Sequence, residues 1–134
     1  MAKWANSNVL DSGPEYIRTL AGSAGRVKLH VIKAYSAGDS YSTVVTTNSV
    51  GVVDLAVGDL VMSSSGSNRV LTVASKSISA ASANSGASPD LHIAIVDSTG
   101  SAVLLVTDET SNQVITSGNP ITTPSFTYTI NQPT

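Results

Sequence analysis

Asp90-Leu91-His92-Ile93-Ala94-Ile95-Val96, then Asp97-Ser98-Thr99-Gly100-Ser101, then Ala102-Val103-Leu104-Leu105-Val106-Thr107: this stretch decides the fold. Successive side chains of an extended chain point to opposite sides, so Leu91, Ile93 and Ile95 share one face and His92 points away from it. The Asp-Ser-Thr-Gly-Ser segment has the small and polar residues of a tight hairpin turn. Two β-rich runs joined by such a turn predict an antiparallel pair, and with it a β protein rather than a helical one.

The same grammar recurs on both sides. Upstream, Val27 to Ile32 is β-rich, Ala37 to Ser40 reads as a turn, and Tyr41 to Val57 carries the β-branched stretches Thr43–Thr47 and Val50–Val53. Gly58-Asp59 makes a further turn, and Leu60 to Met62 is a short apolar run before the polar tip Ser63 to Asn68. Arg69 to Ser75 and Lys76 to Ser82 alternate in character as half-buried strands do, and Asn84 to Pro89 is a loop. Downstream, Gln113 to Thr116 is a short run and Ser117 to Pro120 a turn. Ile121 to Ile130 closes the body, with Phe126, Tyr128 and Ile130 on one face and Pro124 marking an edge or an interruption.

The one helix signal lies near the start. Ser12 and Glu15 have capping-box spacing, Pro14 suits the first turn, Tyr16, Ile17 and Leu20 can share a face, and Gly22 and Gly25 end it. Seven or eight short strands with regular turns then predict an all-β fold, a sandwich or jelly-roll-like antiparallel β protein with one short N-terminal helix. The expected organisation is an N-terminal arm at residues 1–9, a single β-rich domain at 10–130 and a C-terminal tail at 131–134.

Composition narrows the function classes. Charged residues make up 12 % of the chain and the net charge is −2, whereas 36 of 134 residues are serine or threonine. That charge fraction is about half the usual one and implies a bland surface suited to a homo-oligomer. Seven basic residues against nine acidic ones form no basic run, so nucleic acid is not an expected partner. No segment approaches the length of an apolar membrane span, and Met1 to Asn8 has no apolar leader core, so no membrane partner is expected either. The chain has no cysteine, which excludes disulfides and thiolate chemistry.

No catalytic, cofactor or metal site is expected. His30 and His92 each sit mid-strand among aliphatic residues with no H-E-x-x-H or H-x-H pattern, and read as structural or surface histidines. Asp108-Glu109 is the one adjacent carboxylate pair, but neighbours on an extended chain diverge, and it reads as a solvated loop. Asp90, Asp97 and Asp108 are too widely spaced for an EF-hand loop. No G-x-S-x-G elbow or Walker sequence occurs.

An interface is expected instead. Trp4 is a large aromatic in an otherwise polar arm, costly to leave in water and suited to docking on a neighbouring subunit or back on its own body. Asn6, Asn8, Leu10, Tyr16, Tyr128 and Pro133 join it as candidate interface residues, and the hydroxyl-rich strands suit a flat surface of many weak contacts.

Ala5-Asn6-Ser7-Asn8-Val9-Leu10-Asp11-Ser12-Gly13 followed by Tyr16-Ile17 resembles the opening of small phage-encoded proteins found near capsid genes. Ala34 to Tyr41, Leu104 to Thr110 and Phe126 to Thr129 are similar to them too. The resemblance implies a capsid decoration or cement protein of a tailed bacteriophage, a homo-oligomer for which a trimer is favoured. Such a protein is a non-enzymatic virion subunit, made in the host cytoplasm, that binds the major capsid protein on the outer capsid surface and braces the shell. A tail, fibre or head-completion protein, or a host-surface or glycan-binding module, is the alternative. A glycan module should expose aromatics; the chain has six, of which Phe126 and Tyr128 read as core.

Overall fold

The computed structural model describes residues 4–5, 13–66, 68–109 and 111–131. Among these residues, ten strands form three antiparallel sheets. The decisive hairpin is β7 (His92–Asp97) and β8 (Ala102–Asp108). It lies at the centre of a five-stranded sheet, between β1 (Trp4–Ala5) on one edge and β2 (Val27–Ile32) followed by β3 (Ser49–Asp54) on the other. A second sheet has β5 (Asn68–Val73) between β4 (Leu60–Ser65) and β10 (Phe126–Ile130). The third is the pair β6 (Lys76–Ile78) and β9 (Ile121–Thr123). The expected β sandwich with one short helix is the observed architecture.

The central core lies between the sheets. It takes Leu29 and Val31 from β2, Ile93 and Ile95 from β7, Leu60 from β4, Leu71 and Val73 from β5, and Ile78 from β6. The helix α1 (Pro14–Ala21) closes one side with Ile17 and Leu20, and Arg18 Nε donates to the Leu60 carbonyl at 2.8 Å. A register shift between Ile95 and Val96 leaves Leu104 without a direct partner, so Leu104 and Leu105 both feed this core. Gly51 of β3 permits the third sheet to approach: a Cβ there would lie 2.9 Å from Ile121 Cδ1 and 3.2 Å from Ile78 Cδ1.

A second, smaller core lies on the opposite face of the five-stranded sheet. Ile32, Ala94, Val96, Val103 and Val106 are covered there by Val44, with Tyr35, Tyr41 and Val45 half-buried around it. This cover corrects one expectation: Thr43–Thr47 is a π-helical turn, not a strand. The Ser40 side chain accepts the Thr43 N–H at 3.1 Å, Asn48 N–H reaches the Thr43 carbonyl at 3.0 Å, and Val44 is fully buried. Burial of Val44 outweighs the weak β preference of its neighbours.

Other boundaries also move. Gly13, not Ser12, caps the helix, and Ser12 itself lies outside the described residues. The polar tip at 63–68 is strand on both sides of the turn at Gly66. Only Lys76–Ile78 of the expected Lys76 to Ser82 strand pairs. Gln113 to Thr116 forms no strand, and its Ile115 is held by Ser85, whose Oγ accepts the Ile115 N–H at 2.8 Å.

The hairpin turn is tied to β2. Asp97 is 3 % exposed, and its carboxylate accepts from Arg26 Nε and Nη2 at 2.8 and 2.9 Å and from the Thr99 and Gly100 amides at 3.1 Å. Those donors, the guanidinium first, hold Asp97 below the usual carboxylate range. Glycine at 100 is required by proximity, since a Cβ would meet Asp97 Oδ2 at 2.5 Å; the left-handed residue of the turn is Ser101, with φ 51°.

Candidate interface and the titratable clusters

The three-stranded sheet has one face in the core and one that no described element covers. Antiparallel register places side chains in rows, since directly opposed residues share a face. On the outer face Val61, Thr72 and Thr127 form one row, Ser63, Val70 and Thr129 the next, and Ser65 with Asn68 the last. Val61 is 53 % exposed, and Thr127 and Thr129 are exposed beside it. Every residue of this face is valine, serine, threonine or asparagine. Arg69 is the one charge in the three strands and falls in the opposite set of rows, where Nη1 donates to Ser64 Oγ at 2.8 Å.

Such a face loses little when it is covered. Hydroxyls both donate and accept, and no ion has to be stripped of water. The outer edges of β4 and β10 have no strand partner among the described residues, and neither strand carries the lysine or proline that commonly guards an edge.

The residues expected at an interface distribute unevenly. Trp4 lies in β1, its backbone opposite Val106 on the edge of the chain's own five-stranded sheet. Tyr16 and Tyr128 are half-buried and pack against the central core. Asn6, Asn8, Leu10 and Pro133 lie outside the described residues. The bare face itself was not singled out residue by residue, although the alternation of Phe126 to Ile130 and of Arg69 to Val73 carried the signal.

Most cations are neutralised within the chain. Arg26 pairs with Asp97, Lys28 with Asp54 at 2.5 Å, Lys76 with Asp59 at 2.9 Å and Arg18 with Glu15 at 2.7 Å. A groove of about 860 Å³ runs along β9 past Thr107, Asp108, Glu109, Gln113 and Phe126. Its described lining holds carboxylates, amides and hydroxyls but no histidine, lysine or arginine, so no acid–base pair of unlike groups faces it. No helix among the described residues is long and apolar enough to cross a membrane.

Both histidines lie on the outer face of the five-stranded sheet, and both are buried. Burial, aided by Lys28, lowers His30 to about 4, and its Nδ1 is 2.8 Å from Ser49 Oγ. His92, 3 % exposed, stacks obliquely on Tyr35 with ring centroids 5.9 Å apart. Its Nδ1 is 3.0 Å from the Asp90 carbonyl, which can only accept, so Nδ1 carries the hydrogen. Strand register sets Asp108 opposite His92, and Asp90 precedes it by two residues. One carboxylate oxygen of each aspartate and a ring nitrogen of His92 lie within 4.8 Å of one another.

Comparison of the chain with protein-family models, with curated proteins and with solved structures finds no match.

Proposed function

We propose that this chain is a non-enzymatic virion protein that binds the outer surface of a tailed-phage capsid and bridges neighbouring major capsid protein subunits. The observation that carries the reading is the uncharged valine and hydroxyl face of the three-stranded sheet, whose outer edges have no strand partner among the described residues. Interface centres are depleted in charge, and this face offers apolar contact and hydrogen bonding without an ionic desolvation cost. The likeness of Ala5 to Gly13, Ala34 to Tyr41 and Phe126 to Thr129 to small phage proteins supplies the partner.

A glycan-binding role fits less well. The five aromatic side chains described all pack against one of the two cores, Tyr16, Phe126 and Tyr128 on the central one and Tyr35 and Tyr41 on the smaller one. None forms an exposed platform for a sugar ring.

The mechanism is linkage. A subunit that binds only the assembled shell stabilises that state by mass action, and an oligomer, a trimer in the first place, adds avidity. Co-sedimentation with empty capsids of the phage that encodes the chain tests this. Saturable binding by the full chain that is lost in Thr127→Lys, with unchanged thermal unfolding, supports the reading. Absence of binding by the folded full chain sinks it.

A further inference from the structure

We infer that Asp90, His92 and Asp108 form a binding site for a first-row divalent metal ion, zinc in the first place. The inference is independent of the capsid reading and stands or falls by itself.

Three features converge. The donor atoms are already gathered within 4.8 Å, so a small contraction brings them to one ion. The backbone that carries them is fixed: Asp90 N–H donates to the Lys33 carbonyl, Leu91 N–H to Asn112 Oδ1 at 2.7 Å, and Glu109 N–H to the Leu91 carbonyl at 2.9 Å. Neither Asp90 nor Asp108 takes part in an ion pair among the described residues, although four such pairs neutralise other carboxylates.

His92 points independently to a ligand. The ring is more than nine-tenths buried, yet only Nδ1 has a hydrogen-bond partner among the described residues. Nε2 is therefore the ring nitrogen left for a ligand. An imidazole whose other nitrogen is anchored on a backbone carbonyl is the arrangement that orients histidine towards a metal.

The donor chemistry selects the ion. One imidazole nitrogen with two carboxylates favours zinc or a neighbouring transition metal over calcium or magnesium, which prefer shells made wholly of oxygen. Three protein ligands leave at least one position for water.

Isothermal titration of the metal-free full chain with zinc chloride tests the site, with calcium and magnesium chloride in parallel. The expected result is one zinc per chain, bound about tenfold or more weakly by both Asp90→Asn and Asp108→Asn, with little heat from calcium or magnesium. Asp90 is exposed, so its variant should unfold at the parent temperature without metal and remains informative even if Asp108→Asn is unstable. Nitrogen NMR of the histidine rings should show zinc moving His92 Nε2 and leaving His30 in place. Absence of saturable one-to-one binding, undiminished binding by Asp90→Asn, or a shift at His30 instead of His92 overturns the inference.

Discussion

The five-stranded and three-stranded sheets are built from similar residues, yet the described residues cover one on both faces and the other on one. In β7 all six residues are buried, and four consecutive residues of β8, Val103 to Val106, are buried beside them. In β10 burial alternates, with Phe126, Tyr128 and Ile130 half-buried and Thr127 and Thr129 exposed. What differs is the cover: the segment from Lys33 to Asn48 lays Tyr35, Tyr41 and Val44 over the first sheet, and nothing described lies over the second. A strand's pattern thus reports how many of its faces are occupied, and a regularly alternating pair of strands marks where a surface is left for something else.

The largest effect should come from untying the covered sheet at its turn. Asp97→Ala removes a buried carboxylate and strands the Arg26 guanidinium together with the Thr99 and Gly100 amides. Breaking a fully buried, hydrogen-bonded pair from one side costs about 3–5 kcal/mol. Here Arg26 keeps solvent contact and Thr99 and Gly100 are exposed, so water replaces part of what Asp97 accepted and the loss should be about 2–3 kcal/mol. Urea unfolding measures it, and a loss under about 1 kcal/mol would show that the turn stands without this anchor.

Acid acts on the same sheet through His30. An unfolded histidine takes a proton below pH 6.5, whereas His30 in the fold stays neutral to about 4. The unfolded state therefore binds more protons in that window, so stability is full above pH 6.5 and declines as the pH falls towards 4. The loss is up to about 3 kcal/mol. The Asp97 contribution is lost only lower, as the pH falls through its depressed value. Unfolding of the parent and His30→Gln at pH 7 and pH 4.5 separates the two: the variant should lose markedly less over that interval.

The sheets also touch at Gly51. Valine at that position drives methyl groups into Ile78 and Ile121, and overpacking of this kind costs about 1–3 kcal/mol. Those isoleucine ends can yield, so Gly51→Ala should cost about 1 kcal/mol and Gly51→Val about 2 kcal/mol in urea unfolding. Equal, small losses would mean that the β6–β9 pair is free to move away from β3.

These contrasts show which parts of the fold local sequence could reveal. The hairpin from Asp90 to Thr107 was legible because alternation and turn chemistry agree there, and Val27 to Ile32 because its β-branched run is bounded by Gly25. Thr43–Thr47 was not legible, because five β-favouring residues are bent into a π turn by the burial of Val44, a contact made with residues far along the chain. The gathering of Asp90, His92 and Asp108 was hidden for the same reason: strand register, not spacing, sets Asp108 opposite His92. The bare face was half visible, since period-two alternation marks an exposed side without telling whether another element covers it.

The smallest effect on stability is the sharpest test of the comparison. Val61 is 53 % exposed on the bare face, while Val44 is fully buried in the cover of the other sheet. Replacing either valine by threonine exchanges a methyl for a hydroxyl of similar size. At position 44 the hydroxyl loses water and the loss should be about 1–3 kcal/mol. At position 61 water remains, and the change should lie within about 0.5 kcal/mol. Val61→Lys should be as mild in unfolding, yet it sets an ammonium in the centre of an uncharged surface on an edge strand, where covering it means stripping the ion of water. If that face is the contact with the shell, Val61→Lys should abolish co-sedimentation with capsids while leaving the urea midpoint in place. Retained binding would move the contact to another part of the molecule, with the β1 edge at Trp4 the next place to probe.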